Sequence, residues 1–123
     1  MGERPQGLGA SLRCAFEGVA YAVRTQRNMR IHLAVAVSVL VVGALVRLNA
    51  VEWALVALCI GLVIAGELVN TALEALVDLA SPEAHPKAKA AKDAAAAAVL
   101  VLSFVSVVVG VLVLANALGR LTA

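Results

Sequence analysis

Four polar side chains recur along a segment that is otherwise apolar. They are Glu67, Asn70, Glu74 and Asp78, at intervals of three, four and four residues. Because a helix turns about 100° per residue, these intervals place all four on one helical face. Carboxylates are costly to bury in so apolar a segment, and they usually mark a proton path, an ion site or a reaction centre. The row is therefore the first candidate for chemistry.

The carboxylates of this row are predicted to lie at two depths. Counted from Val51, Glu67 lies roughly 24 Å along a helix, beneath the edge of an apolar core of roughly 30 Å, and Glu74 lies about 10 Å further on. The deeper carboxylate could take a proton from a lipid hydroxyl, and the shallower one could hold Mg²⁺ on the phosphates of a nucleotide. These are parts of a phosphoryl transferase, although the sequence has no Walker-type phosphate-binding loop.

The composition identifies an integral membrane protein. Of the 123 residues, 63% are hydrophobic and 15% are charged, and the mean hydropathy is +0.97. A soluble domain of this size needs far more polar surface. The formal charge of +2, the lack of basic runs and the few aromatic residues exclude a nucleic-acid binder. Cys14 and Cys59 form neither a metal motif nor an expected disulfide.

Apolar runs and helical periodicity predict an all-α integral membrane protein that forms one membrane domain over residues 1–123. The predicted elements are a surface helix (8–27), span one (30–49), span two (51–80), a cytoplasmic loop (81–92) and span three (93–118). The apolar stripe of the first helix, which includes Leu8, Leu12 and Phe16, fits a helix on the membrane surface or one packed against the bundle.

The basic residues predict the orientation in the membrane. Eight of the ten precede span one or lie between spans two and three. They are Arg4, Arg13, Arg24, Arg27, Arg30, Lys87, Lys89 and Lys92. Since positive charge accumulates on the cytoplasmic side, we expect the N-terminus and the 81–92 loop in the cytoplasm and the C-terminus outside, in a multi-pass protein of the inner (plasma) membrane.

Three sequence runs resemble the prokaryotic diacylglycerol kinase family. They are ELVNTALEALVD at 67–78, SPEAH at 81–85 and AKAAKD at 88–93. The N-terminal runs SLRCAFEG at 11–18 and RNMRIH at 27–32 are more similar to the undecaprenol kinase branch. The resemblance implies a homotrimeric bundle with a surface helix and three spans per chain, and active sites shared between neighbouring subunits at the cytoplasmic membrane edge.

The resemblance also implies a reaction and a set of site residues. The family transfers the γ-phosphoryl of Mg²⁺-bound ATP to a membrane lipid alcohol, for which we expect undecaprenol first and diacylglycerol second. By position, Glu67 corresponds to the catalytic base and Glu74 to a metal ligand. Asn70 orients the site and is grouped with the nucleotide-binding positions, which are Glu83, His85, Lys92 and Asp93.

Two positions depart from the family pattern. Gln26 stands where many relatives have a glutamate that binds metal together with the equivalent of Glu74. An amide oxygen can ligate Mg²⁺ but brings no charge, so looser metal binding is expected. Cys14 stands where relatives often have an aromatic residue near the adenine, so stacking on the base would be lost.

Two other classes of function stay open at the level of sequence. A small proton-coupled transporter could also depend on one membrane carboxylate, here Glu67, but it would not need the polar segment from His85 to Asp93. A structural membrane subunit would hold Glu67 in an interhelical hydrogen bond without chemistry.

Overall fold

The structure, a computed structural model, describes residues 2–3 and 7–123. These residues contain four helices. They are α1 (Leu8–Thr25), α2 (Arg27–Leu45), α3 (Ala50–Ala80) and α4 (Pro86–Thr122). Arg4, one of the residues that predict the orientation, lies outside the described residues.

Three of these helices, α2, α3 and α4, are long and apolar enough to cross a membrane. Much of their apolar surface faces outward, as Phe104 and Leu100 illustrate with 70% of their surface exposed. The predicted all-α integral membrane protein with three spans is thereby confirmed. The 31 residues of α3 and the 37 of α4 extend for about 45 Å and 55 Å, so both helices reach well beyond a core of about 30 Å.

The first helix ends at Thr25, two residues before the predicted boundary at residue 27, and Gln26 is its C-cap. Gln26 has an extended backbone (φ −110°, ψ 114°), and its N–H donates to the Ala22 carbonyl at 2.8 Å. Leu8 and Phe16 are exposed on α1, whereas Ala22, near the end of the helix, is fully buried. The helix therefore presents its apolar stripe outward and packs onto the bundle only through its last turns.

The turn between α2 and α3 is closed by a Schellman motif. Leu48 N–H donates to the Gly43 carbonyl at 3.1 Å and Arg47 N–H donates to the Ala44 carbonyl at 3.3 Å. Arg47 takes the left-handed conformation (φ 56°) that this motif requires. Span one was predicted to run to residue 49, but α2 ends at Leu45 because this turn satisfies its last carbonyl groups.

A capping box and an ion pair then fasten the start of α3 to the end of α4. The Asn49 side chain accepts from Glu52 N–H at 3.0 Å, and the Glu52 carboxylate accepts from Asn49 N–H at 2.9 Å. The same carboxylate binds the Arg120 guanidinium and accepts from Asn116 Nδ2 at 2.7 Å. We refer to Asn49, Glu52, Asn116 and Arg120 as the outer clamp.

The connection between α3 and α4 is shorter than predicted. Residues 81–85 form the turn, whereas residues 86–92 of the expected loop belong to α4. His85 is the N-cap, its Nδ1 accepts from Lys87 N–H at 3.1 Å, and Pro86 occupies the first helical turn. These start signals, followed by an Ala/Lys-rich run with high helix propensity, explain the early start of α4.

Among the described helices, α3 and α4 pack against each other most extensively. Gly66 permits their close approach, since a Cβ there would lie 2.6 Å from Leu102 Cδ1. Near the outer clamp, Leu48, Val56, Val113 and Ala117 form the buried apolar core. This packing holds the polar row of α3 against its neighbours.

Candidate active site

Glu67 is buried where α3 faces α2. Only 1% of its surface is exposed, and its Oε1 lies 3.2 Å from His32 Nε2 on α2. Its second oxygen, Oε2, is buried without a hydrogen-bond partner among the described residues. Thr71, one turn on, is also buried and its hydroxyl donates to the Glu67 carbonyl at 2.8 Å. Glu67 Oε2 is therefore a buried hydrogen-bond acceptor for which the described residues supply no donor.

A second polar contact lies further along the row, where α3 meets the junction of α1 and α2. Gln26 Nε2 donates to Glu74 Oε2 at 2.9 Å, and Asn70 Nδ2 lies 3.5 Å from Glu74 Oε1. Asn70 is buried, and its Oδ1 has no partner among the described residues. The structure thus brings together Gln26 and Glu74, the two side chains whose positions in the family are associated with metal.

These contacts form two levels between antiparallel helices. His32 meets Glu67 at one level and Gln26 meets Glu74 at the other. A step of seven residues on α3 separates the levels by about 10 Å. Asn70 lies between them, so the row connects a deep level to a shallow level along one helical face.

The shallow end of the row opens into a polar cleft of about 780 Å³ at the turn between α3 and α4. All four remaining nucleotide-binding candidates line it, together with the last acid of the row: Asp78, Glu83, His85, Lys92 and Asp93. Asp78 forms an ion pair with Lys92, and Lys89 forms one with Asp93. The N-terminus of α4 also lies at this cleft, and its positive helix dipole favours phosphate, although Pro86 has no N–H and the Lys87 N–H already donates to His85.

The predicted site residues therefore fall into two neighbouring groups. Glu67, Asn70, Glu74 and Gln26 lie on the α2–α3 side, and Asp78 joins the row to the cleft through Lys92. Within the described residues, no three His, Cys, Asp or Glu side chains converge on a metal position. Mg²⁺ in kinases is usually held by one or two carboxylates together with substrate phosphates, so Glu74 needs no such cluster.

His32 is the site residue to which the sequence assigned no role. A signal for it exists in the register of the helices. Gln26 faces Glu74, and the two helices run antiparallel. Six residues after Gln26 is His32, which must therefore lie opposite the part of α3 six or seven residues before Glu74. That part of α3 contains Glu67. Because the resemblance already associates position 26 with Glu74, the sequence contained this signal.

The arrangement as a whole fits a membrane-embedded phosphotransferase, with a buried carboxylate and, further along the same helix, a cleft lined by acidic and basic side chains. The family model for prokaryotic diacylglycerol kinase matches residues 13–114. The chain is 46% identical over 99 residues to an undecaprenol kinase of Bacillus subtilis, with 80% of each chain covered. It is 47% identical over 104 residues to a diacylglycerol kinase of Synechocystis sp., with 84% of this chain and 59% of that protein covered.

This chain belongs to the prokaryotic diacylglycerol kinase family. The resemblance drawn from the motifs is confirmed, and the chain is a lipid kinase for which ATP is the implied phosphoryl donor. Family membership favours a kinase over a transporter or a purely structural subunit.

Proposed function

We propose that the protein transfers the γ-phosphoryl group of Mg²⁺-bound ATP to the hydroxyl of a membrane lipid alcohol at the cytoplasmic face, with undecaprenol preferred over diacylglycerol. The observation that carries this proposal is the two-level row on α3. A buried carboxylate, Glu67, lies about 10 Å from a polar contact, Gln26–Glu74, and the last acid of the same row, Asp78, lines a cleft that contains both acidic and basic side chains. Phosphoryl transfer depends mainly on positioning and charge neutralisation, which such a row provides.

The polar cleft is the proposed binding site for ATP. Lys92 and Lys89 supply positive charge, and the α4 N-terminus adds a positive helix dipole that favours phosphate. Both lysines are paired with carboxylates, so binding of a triphosphate exchanges Asp78 and Asp93 for phosphate oxygens. His85 and Glu83 border the same cleft and are proposed to contact the nucleotide.

The donor atoms around Glu74 fit Mg²⁺. One carboxylate, the amide of Gln26 and the unpartnered Asn70 Oδ1 are hard oxygen ligands, or become so after rotation of the Gln26 amide. We propose that Glu74 is the metal ligand and that Gln26 assists it. The ion supplies neutralisation of phosphate charge, and the chain supplies its position.

A homotrimer with sites shared between subunits is the proposed assembly. One chain leaves extensive apolar side chains exposed on α4, and buried polar atoms such as Ser103 Oγ lack partners among the described residues. Small and hydroxylated side chains favour helix association in membranes. Crosslinking of the detergent-solubilised protein should give a trimer band, and a product that stops at monomer under all conditions argues against it.

Orientation is proposed from the charge distribution, with the N-terminus and the cleft in the cytoplasm and the C-terminus outside. A cysteine introduced at the exposed Ala84 tests this in inner-membrane vesicles of known sidedness. An impermeant maleimide should label it only when the cytoplasmic face is accessible.

The decisive experiment is a lipid panel with the purified protein. Labelled ATP, Mg²⁺ and mixed micelles of undecaprenol, diacylglycerol or no alcohol should give label in both lipids, with the higher kcat/KM for undecaprenol. Glu67→Gln should lower turnover at least about 100-fold, the usual effect of losing acid–base assistance. Glu17→Gln, a change of the same kind on exposed α1, is the matched control and should keep full activity. Undiminished turnover of Glu67→Gln would remove that carboxylate from the chemistry.

A further inference from the structure

Lys92, on α4, lies beside two carboxylates of α3. Its ammonium group forms an ion pair with Asp78, and the negative charge of Glu74 attracts it as well. Glu74 and Asp78 are four residues apart on one helical face, a spacing that brings their Cβ atoms within about 5–6 Å. Two side chains at this spacing can bind a single metal ion, as the two histidines of an H-E-x-x-H helix do. These two carboxylates therefore already attract one cation, the ammonium group of Lys92.

A buried acceptor oxygen lies next to the same carboxylates. Asn70 is one turn before Glu74, only 7% of its surface is exposed, and its Nδ2 lies 3.5 Å from Glu74 Oε1. The oxygen of the same amide group, Oδ1, has no hydrogen-bond donor among the described residues. Burial of a polar atom without a partner is costly, and Mg²⁺ binds both amide and carboxylate oxygens. The Asn70 amide is thus a second and independent indication of a cation at Glu74.

The hydrogen-bond partners of Glu74 bring no second negative charge to this position. Gln26 Nε2 donates to Glu74 Oε2 at 2.9 Å, and the other partner among the described residues is the neutral amide of Asn70. Mg²⁺ is usually held by one or two carboxylates together with substrate phosphates. On the face of α3 that carries Glu74, the carboxylate closest in sequence is that of Asp78.

The ion pair between Asp78 and Lys92 can be exchanged at low cost. The two side chains are 66% and 38% exposed, and ion pairs at exposed positions contribute little to stability. A triphosphate in the cleft offers Lys92 a partner of higher charge. Asp78 then loses its cation and adds its negative charge to those of Glu74 and the phosphates. The exchange therefore leaves two carboxylates, at i and i+4, that need a new cation.

We propose that Asp78 binds Mg²⁺ together with Glu74 once the phosphates of ATP have drawn Lys92 away. The proposal rests on the lipid kinase function proposed above. Lys92 has two successive roles: it neutralises the carboxylates in the absence of nucleotide, and it contacts the phosphates when ATP is bound. Binding of ATP and binding of Mg²⁺ should therefore strengthen each other, because both require Lys92 to leave Asp78.

The test is the binding of β,γ-methylene-ATP, a non-hydrolysable analogue, to the purified protein in detergent, measured in Mg²⁺ and in chelator. We call the ratio of the two affinities the Mg²⁺ enhancement. In Asp78→Asn, binding in chelator should be tighter than in the parent because Lys92 is released, whereas the Mg²⁺ enhancement should fall about tenfold or more. Asp93→Asn removes the other ion-paired carboxylate of the cleft and is the matched control, with an enhancement within about twofold of the parent. An undiminished enhancement in Asp78→Asn would overturn the proposal.

A carboxylate placed on the other side of Glu74 separates metal binding from a structural role of Asp78. Because Gln26 contacts Glu74 directly, Gln26→Glu in the Asp78→Asn background should restore the Mg²⁺ enhancement to within about threefold of the parent. A loss that Gln26→Glu does not restore would mean that Asp78 only positions Lys92, and the proposal would be wrong.

A change of metal preference tests ligation by position 78 directly. A thiolate binds Zn²⁺ well and Mg²⁺ poorly, so Asp78→Cys should raise the preference for Zn²⁺ over Mg²⁺ in analogue binding relative to the parent. An unaltered preference would contradict ligation by this side chain. Binding of the analogue needs no lipid, so these results stay interpretable even if no lipid alcohol is phosphorylated. That last outcome would refute the proposed function instead.

Discussion

Replacing Gln26 by glutamate tests the proposed binding of Mg²⁺ by Glu74 and Gln26. In the structure Gln26 Nε2 donates to Glu74 Oε2 at 2.9 Å, so Gln26→Glu converts a hydrogen bond into a pair of like charges. Two unit charges about 4 Å apart repel by about 1 kcal/mol in water and about 4 kcal/mol at an effective dielectric constant of 20. Because Glu74 is half-buried, the variant should lose about 1–4 kcal/mol of unfolding free energy when Mg²⁺ is absent.

Bound Mg²⁺ should reverse the sign of this effect. A second carboxylate gives the cation an additional charged ligand, and a gain of about 1.4 kcal/mol lowers the half-saturating Mg²⁺ concentration about tenfold. The assay is the rate of lipid phosphorylation against free Mg²⁺ at saturating ATP, with thermal unfolding measured in chelator and in Mg²⁺. Asn28→Glu is the control, because it adds the same charge two residues away at a side chain that makes no hydrogen bond with Glu74. Equal Mg²⁺ dependence in Gln26→Glu and the parent, or equal destabilisation by Asn28→Glu, would refute a metal role for this contact.

Three further perturbations separate packing, the outer clamp and nucleotide binding. Gly43→Ala should destabilise the fold by about 1–3 kcal/mol in thermal unfolding. The new Cβ would lie 2.9 Å from both Leu48 Cδ1 and the Trp53 ring. Gly61→Ala is the control, because a Cβ there meets nothing within 4 Å and the change should be neutral. Arg120→Met should lower the melting temperature, because it leaves the Glu52 carboxylate without its cation. The double variant Arg120→Met/Glu52→Gln should recover part of that loss. A double variant with no recovery would contradict the pairing. Lys92→Ala should raise KM for ATP about tenfold or more with kcat little changed, and an unaltered KM would exclude Lys92 from the cleft's phosphate contacts.

Features that lie within a single helix were predicted correctly from the sequence. The row on α3 follows from residue spacing alone, and its shared face is preserved in the buried Glu67 and Asn70 and the half-buried Glu74. The three spans follow from the apolar runs. Helix ends were less accurate, because the Schellman turn depends on a left-handed Arg47, a conformation that residue type does not favour.

Contacts between distant parts of the sequence were not predictable in the same way. The outer clamp joins Glu52 to Arg120, 68 residues apart, although the Asn49-x-x-Glu52 spacing is a recognisable capping signal. The pairing of His32 with Glu67 depends on the axial register of α2 against α3, which periodicity leaves undetermined. Register is set by the tight turn and by packing at Gly43, both of which require three-dimensional coordinates.

The same register explains how a distant turn can control the chemistry. Six residues from Gln26 to His32 and seven from Glu67 to Glu74 correspond to rises of about 9 Å and 10 Å, so both levels of the site form at once only for one alignment of the helices. A slip of one residue would displace one partner by about 1.5 Å and rotate it by about 100°. Since a displacement of about 1 Å can lower the rate of a positioned reaction about 100-fold, we expect the turn at residues 46–49 and the outer clamp to contribute to catalysis by preventing that slip. The separation between the Glu67 and Glu74 levels is then fixed by two regular helices, which hold a geometry more accurately than loops do.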